Sequence, residues 1–348
     1  MNFDNPEHVF VIAEAGSNWK CGTYDDDLNQ AKQLIDVASK AGADAVKFQT
    51  YKPETTYVSD AGVSNYLAKS GHVKKIEDIF EEHSMPYEMI PELHKYCKEK
   101  NISFMSTPFS ISDAKAIDPY VEIHKIASFE INHVRLKEFL AKTKKPIIVS
   151  TGASTFDEIN FCVNLLKKND CNNIILLQCT SKYPCPINSL NLSVIPKMKL
   201  KYECPIGLSD HSTDPIIGPL TSIGLGATII EKHFTLDKSL SGPDHSFALD
   251  PNELEFMIKS IRQAQLSFGN GVKEILEDEK ELRQFATRSI QAITDIQKDE
   301  FLLEGKNFDV LRPGNRIRGT EPRFLESING KKSSKFIKKG DGITDYFE

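Results

Sequence analysis

Two glutamates, two lysines and two histidines fall at or near the ends of short apolar, β-branched runs: Glu14, Lys47, Lys125, His211, Glu231 and His233. A pair of imidazoles can hold one divalent ion through ring nitrogens, and Glu231, two residues before His233, could serve beside it as a base or orient a water. The lysines keep company with hydroxyls, Thr107, Ser128, Ser150 and Ser209, and with the glycine of Thr151-Gly152. That set reads as an anion cradle, in which ammonium groups neutralise charge and hydroxyl or backbone donors fix the oxygens. Within Ala45-Val46-Lys47-Phe48-Gln49, Lys47 shares a pleat face with Ala45 and Gln49. Glu14 lies between two alanines, where an ionised carboxylate would be costly without a partner, and Gly16 beyond it would let a ligand come close.

Taken singly, these residues have plainer readings. Histidines far apart in sequence are ordinarily core or surface residues, and a strand-end lysine is ordinarily solvated. What changes the reading is where they fall. The apolar runs begin at Val9, Asp44, Ile102, Glu122, Pro146, Ile174, Pro205 and Ala227, and each is followed by a helix or a helix-compatible stretch. Leu28, Ala31, Leu34, Ile35 and Ala38 recur at helical spacing until Gly42 ends the first helix. Asp250, Pro251 and Glu253 give the last one an N-cap, a first-turn proline and a capping box.

Eight such units in roughly 260 residues match a (β/α)8 TIM barrel, whereas a doubly wound sheet usually stops at five or six strands. In a barrel, polar residues at the C-terminal strand ends face the active site. Every strand here offers some, including Ser106, Thr151, Gln178, Thr180, Ser181 and Asp210 besides those above. His211 and His233 would then lie on strands 7 and 8, which touch. The segment from Tyr57 to about Met85 is long enough to be a lid.

Residues 1–268 are assigned to the barrel, 269–284 to a charged linker, and 285–348 to a small β-rich domain in which short apolar runs alternate with Gly, Pro and Lys. The full chain of 348 residues has 43 Lys plus Arg against 49 Asp plus Glu, a formal net charge of −6, which argues against a nucleic-acid-binding surface. No run approaches the roughly 18 apolar residues of a membrane span, and no basic region with an apolar signal segment opens the sequence. Seven irregularly spaced cysteines without a C-x-x-C pair suit free thiols, so a cytoplasmic protein is expected.

Eight segments in order carry a family resemblance. They include Ile12-Ala13-Glu14-Ala15-Gly16-Ser17-Asn18, Val46-Lys47-Phe48-Gln49-Thr50, Lys125-Ile126-Ala127-Ser128-Phe129-Glu130, Gly207-Leu208-Ser209-Asp210-His211-Ser212, Glu231-Lys232-His233-Phe234-Thr235 and Gly242-Pro243-Asp244-His245. Together these resemble the sialic acid synthases, which condense phosphoenolpyruvate with an N-acetylated hexosamine. The tail, with Arg288-Ser289 and Arg312-Pro313-Gly314, is similar to their antifreeze-like (SAF) domain. The resemblance implies that His211 and His233 hold a catalytic divalent metal, Mn2+ or Mg2+. It places Thr107, Lys125, Ser128 and Ser150 at the phosphate, Lys47 and Ser209 at the carboxylate of phosphoenolpyruvate, and Glu14, Gln49, Tyr183 and Asp244 around the sugar.

Glu231 stands where the family has a carboxylate beside the metal. Arg312 matches an arginine that reaches the partner's active site in a domain-swapped homodimer. N-acetylmannosamine is the acceptor expected, giving N-acetylneuraminate; a diacetamido-trideoxy hexose would give legionaminate or pseudaminate instead. Two positions depart from the family pattern: Trp19 stands where His is frequent, and Ser181 where Asn is. Both are expected near the substrates. A Schiff-base aldolase using Lys47 or Lys125 is the rival enzyme class, and it leaves both histidines without a role. A glycan-binding module on a degenerate barrel would lack the residues at the barrel mouth.

Overall fold

The computed structural model of the chain describes residues 3, 7–63 and 74–347, which fall into two compact units, Met1–Phe268 and Gly269–Glu348. In the first unit the eight expected apolar runs all form strands: Phe10–Gly16 (β1), Ala45–Thr50 (β2), Ser103–Pro108 (β3), His124–Ile126 (β4), Ile147–Ser150 (β5), Ile174–Cys179 (β6), Ile206–Asp210 (β7) and Ile229–His233 (β8). The strands are parallel and ordered β3-β2-β1-β8-β7-β6-β5-β4. The two ends of this series, β3 and β4, lie side by side, so the sheet curls into a (β/α)8 barrel.

These runs are apolar on both faces because a parallel barrel sheet is buried on both. One face packs outward under the helices, for example Val11, Val46, Phe104 and Ile230. The other fills the barrel with Ile12, Ala45, Met105, Ile123, Ile148, Ile175, Leu177 and Ile229. Strand side chains alternate with period two, so the next inward position after each of these is fixed. Counting two residues on from that apolar floor reaches Glu14, Lys47, Thr107, Lys125, Ser150, Cys179 and Glu231.

Helix ends follow the sequence signals. Thr23 caps the helix Tyr24–Ala41 in a capping box with Asp26, and Gly42 closes it in the left-handed region at φ 87°. Asp250 Oδ1 accepts from the amides of Asn252 and Glu253, both at 2.9 Å, at the head of the helix Pro251–Ser267. Within the expected lid, Tyr57 to about Met85, the described residues form the helix Ile76–Glu82, and the helix Pro53–Thr56 comes just before it; residues 64–73 lie outside the described residues. All seven cysteines are free thiols. Among the described residues, no helix is long and apolar enough to cross a membrane.

The second unit has its own core of Ile290, Ile296, Leu302, Phe308, Ile328, Ile337 and Ile343. Its regular strand is sparser than expected: Ser289–Ala292 (β9) pairs antiparallel with Phe308–Leu311 (β10), and the remaining contacts are single bridges such as Ile296 with Ile337 and Phe301 with Lys332. Glycine explains one close crossing, since a side chain at Gly319 would place its Cβ 1.9 Å from the Ile290 carbonyl oxygen. Part of the expected linker is helical, with the helix Lys280–Ala286 running past its end.

The Asp250 cap can be tested directly. Replacement by Ala is expected to lower unfolding free energy by about 1 kcal/mol in urea titrations of the purified chain. Catalytic rates under folding conditions should be unchanged.

Candidate active site

Lys47 and Glu14 are Cα partners across β1 and β2, and Glu14 faces His233 across β1 and β8. Register therefore brings together three groups from distant parts of the sequence. Lys47 Nζ lies 2.5 Å from Glu14 Oε2 and 3.8 Å from Glu231 Oε2, and donates to Thr107 Oγ1 at 2.9 Å. Lys125 Nζ donates to Ser150 Oγ at 2.7 Å and lies 3.6 Å from Glu231 Oε1. Ser209 Oγ donates to the same Glu231 oxygen at 3.0 Å, and Gln49 Nε2 donates to Glu14 Oε1 at 3.0 Å. All four charged side chains are buried.

Burial and company move the two carboxyls in opposite directions. Glu14 is pushed up to about 7, because desolvation and the neighbouring Glu231 outweigh Lys47. Burial acts on Glu231 too, but two ammonium groups and the Ser209 hydroxyl overcome it and hold the carboxyl at about 2. Lys47 is raised, because its two carboxylate neighbours override desolvation. Lys125 is lowered by desolvation, only partly offset by Glu231. The site thus contains an acid that is still about half protonated at neutral pH and a carboxylate that stays ionised.

Twelve of the residues expected at the site line one cavity, Ser128, Tyr183, His211 and His233 among them. Asp244 lies immediately beside it, accepting from Ser17 Oγ at 3.0 Å. Its carboxylate and the His233 ring occupy the space next to Gly16, where a Cβ would come 2.8 Å from Asp244 Oδ2. The glycine therefore admits protein side chains, not the ligand expected there. Arg312 belongs to the second unit, where it follows β10 and is exposed.

Some expected polar groups turn away from the cavity, and alternation explains several of them. Ser106 bonds Thr50, Gln178 donates to the Leu190 carbonyl, Thr180 to that of Ser189, and Thr151 to that of Leu177. Trp19, expected near the substrates, is instead buried in the core between barrel and helices. Asn18 fixes that course by donating to the Phe234 carbonyl at 2.8 Å. Ser181 does lie near the cradle: its Oγ would be 2.2 Å from a Cβ at Gly152, and it is buried without a hydrogen bond.

Sequence reasoning assigned no role to Cys179 or Glu130. Cys179 lines the cavity, 3.5 Å from Ser128 Oγ, and counting inward positions from Ile175 and Leu177 would have found it. Glu130 ends the segment Lys125-Ile126-Ala127-Ser128-Phe129-Glu130; burial, opposed by Lys125, lifts its carboxyl to about 7.

The histidines form a pair with ring centroids 5.5 Å apart. His211 Nδ1 is 2.9 Å from the Thr180 carbonyl, to which it can only donate, so its Nε2 is the nitrogen that retains a lone pair in the neutral ring. Burial holds His233 at about 4, and its Nδ1 is buried without a hydrogen-bond partner. Such a pair fits a divalent cation. Among the described residues, no group of three His, Cys, Asp or Glu side chains is arranged to hold one, so the other coordination positions would fall to water or substrate oxygens.

Residues 34–273 match the NeuB family. The chain is 38% identical to the spore coat polysaccharide biosynthesis protein SpsE of Bacillus subtilis, over 96% of this chain and 92% of that one. It is 37% identical to a pseudaminic acid synthase of Campylobacter jejuni, over 98% and 97%. A crystal structure of the N-acetylneuraminic acid synthetase of Leptospira borgpetersenii, 34% identical, superposes with a TM-score of 0.70 over 80% of this chain and 92% of that one. The matched span and these near full-length identities place this chain in the NeuB family.

Proposed function

We propose that this chain joins phosphoenolpyruvate to the open-chain aldehyde of an N-acetylated hexosamine, giving a nine-carbon 2-keto acid and inorganic phosphate. The observation that carries this reading is the pair of buried ammonium groups, each bonded to a hydroxyl, facing two imidazoles in one cavity. Lys125, Ser150, Thr107 and Ser128 suit the phosphate; Lys47 and Ser209 suit the carboxylate. Holding both anionic ends leaves C3 of phosphoenolpyruvate free to meet the aldehyde carbon.

The new bond forms from C3 to that carbon, and the aldehyde oxygen must gain a proton. Water adds to C2 and must lose one. The resulting tetrahedral carbon expels phosphate by C–O cleavage, and its hydroxyl proton leaves with the phosphate. Glu14, about half protonated at neutral pH, is suited to give the first proton, and ionised Glu231 to take the second. A divalent cation held by His211 and His233 would supply Lewis-acid polarisation of the aldehyde. Arg312 from a second copy and the assignment of the tail as an antifreeze-like (SAF) domain remain part of this reading through the family resemblance.

The acceptor expected first was N-acetylmannosamine. The C. jejuni relative, covered more fully and slightly more similar than the Leptospira protein, favours a diacetamido-trideoxy hexose. Phe109 in the cavity wall, backed by Tyr51 at 5.2 Å, offers an apolar surface for a deoxy carbon.

Phosphate release with phosphoenolpyruvate, Mn2+ and each acceptor in turn is the direct assay. Release with the trideoxy sugar is expected to exceed that with N-acetylmannosamine; no release with any acceptor overturns the reaction. Replacing His211 or His233 with Ala should cut release by about 100-fold or more while leaving the barrel folded.

The carboxyl pair gives a second test, in stability. Glu14 binds its proton more tightly folded than unfolded, so its contribution is fully present below pH 4.5 and lost as pH rises through about 7. Glu231 behaves oppositely: its contribution is present above pH 4.5 and lost as pH falls toward about 2. E14Q is therefore expected to flatten the fall in melting temperature between pH 4.5 and 7. An unaltered slope would remove Glu14 as the proton-holding acid.

A further inference from the structure

Lys232 stands between Glu231 and His233 but takes no part in the chemistry above. Alternation turns it out of the cavity, and its side chain is 1% exposed. Its Nζ donates to Asp210 Oδ2 at 2.6 Å, to the Ser212 carbonyl at 2.5 Å, to Ser212 Oγ at 3.1 Å and to the Asp214 carbonyl at 3.0 Å. Four acceptors surround three N–H groups, so no donor is left idle. Asp210 closes the arrangement by accepting from the Ser212 amide at 2.8 Å. The acceptors belong to residues 210, 212 and 214, and His211 lies within the stretch they wrap.

Asp210 and Lys232 are Cα partners across β7 and β8. One ammonium therefore ties the end of the strand that leads to His211 to the strand that bears Glu231 and His233. A buried ion pair contributes little net stability, because desolvation offsets the attraction, but it strongly restricts geometry. Gly218 leaves room for the pair: a Cβ there would lie 2.5 Å from Asp210 Oδ2.

We infer that Lys232 is a positioning residue, which sets the spacing of His211 and His233 by gathering Asp210, Ser212 and Asp214 around one ammonium. The inference rests on the proposal that these histidines hold a divalent cation. A plain fold brace would make the same bonds, so the test must read the cation and not only the fold.

Binding of Mn2+ by the full chain, with phosphoenolpyruvate present, is measured from the electron paramagnetic resonance signal of the free ion. H211A tests the underlying reading, and Mn2+ binding as tight as in the parent would sink it whatever Lys232 does. K232M leaves the Asp210 carboxylate buried without an opposite charge, so D210N/K232M is measured beside it. If the inference holds, the double variant folds, melts near the parent temperature and binds Mn2+ about tenfold or more weakly. S212A, which keeps the ion pair and removes one acceptor, should weaken Mn2+ by a smaller factor. A folded double variant with undiminished Mn2+ affinity, or a double variant that cannot fold, makes Lys232 a brace of the barrel and overturns the inference.

Discussion

Four ionisable side chains buried within one barrel mouth, Lys47, Glu14, Glu231 and Lys125, set the terms for the rest of the structure. An isolated ion in such a place would be driven to its neutral form. Here each ammonium lies within 3.8 Å of a carboxyl group and each carboxyl within 3.8 Å of an ammonium, and hydroxyls of Thr107, Ser150 and Ser209 supply further hydrogen bonds. Two ammonium groups and two carboxyls come from β1, β2, β4 and β8, so the cluster exists only when the barrel is closed in this register. Because the balance is local, it is also unequal. Glu231 lies near both ammonium groups and stays ionised, whereas Glu14 has one of them and a carboxylate neighbour.

That inequality is what makes two chemically identical side chains different reagents. Their separation in the sequence says nothing about it. It arises from the count of cations around each and from the loss of water, both properties of the assembled mouth. The same holds for the imidazoles. Burial keeps His233 neutral, while the Thr180 carbonyl decides which nitrogen of His211 is available.

The barrel also divides its side chains by parity. In most strands the inward positions run from an apolar floor to a polar rim, as from Ile12 to Glu14, Met105 to Thr107 and Ile148 to Ser150. Outward neighbours of the rim serve the architecture, Lys232 with Asp210 and Ser106 with Thr50. Ionisable residues one position apart thus have opposite duties. Lys47 and Lys232 are both enclosed lysines near strand ends, yet one faces the cavity and the other the packing behind it.

Much of this was legible in the sequence. Eight apolar runs, each followed by a helix-compatible stretch, with caps such as Thr23 and Asp250, determine the barrel because propensity, burial and helix-end chemistry act locally. The polar rim was legible too, through residue type and place after each run. The sequence could not decide which rim residues turn inward where strand ends were misjudged by a residue or two. Thus Cys179 was passed over for Gln178, and Trp19 was expected beside substrates although it packs in the core. Nor could it decide that the space beside Gly16 is filled by Asp244 and His233, or that Glu14 and Glu231 titrate apart. Those are matters of distance between residues more than 200 positions apart, and only tertiary structure sets such distances.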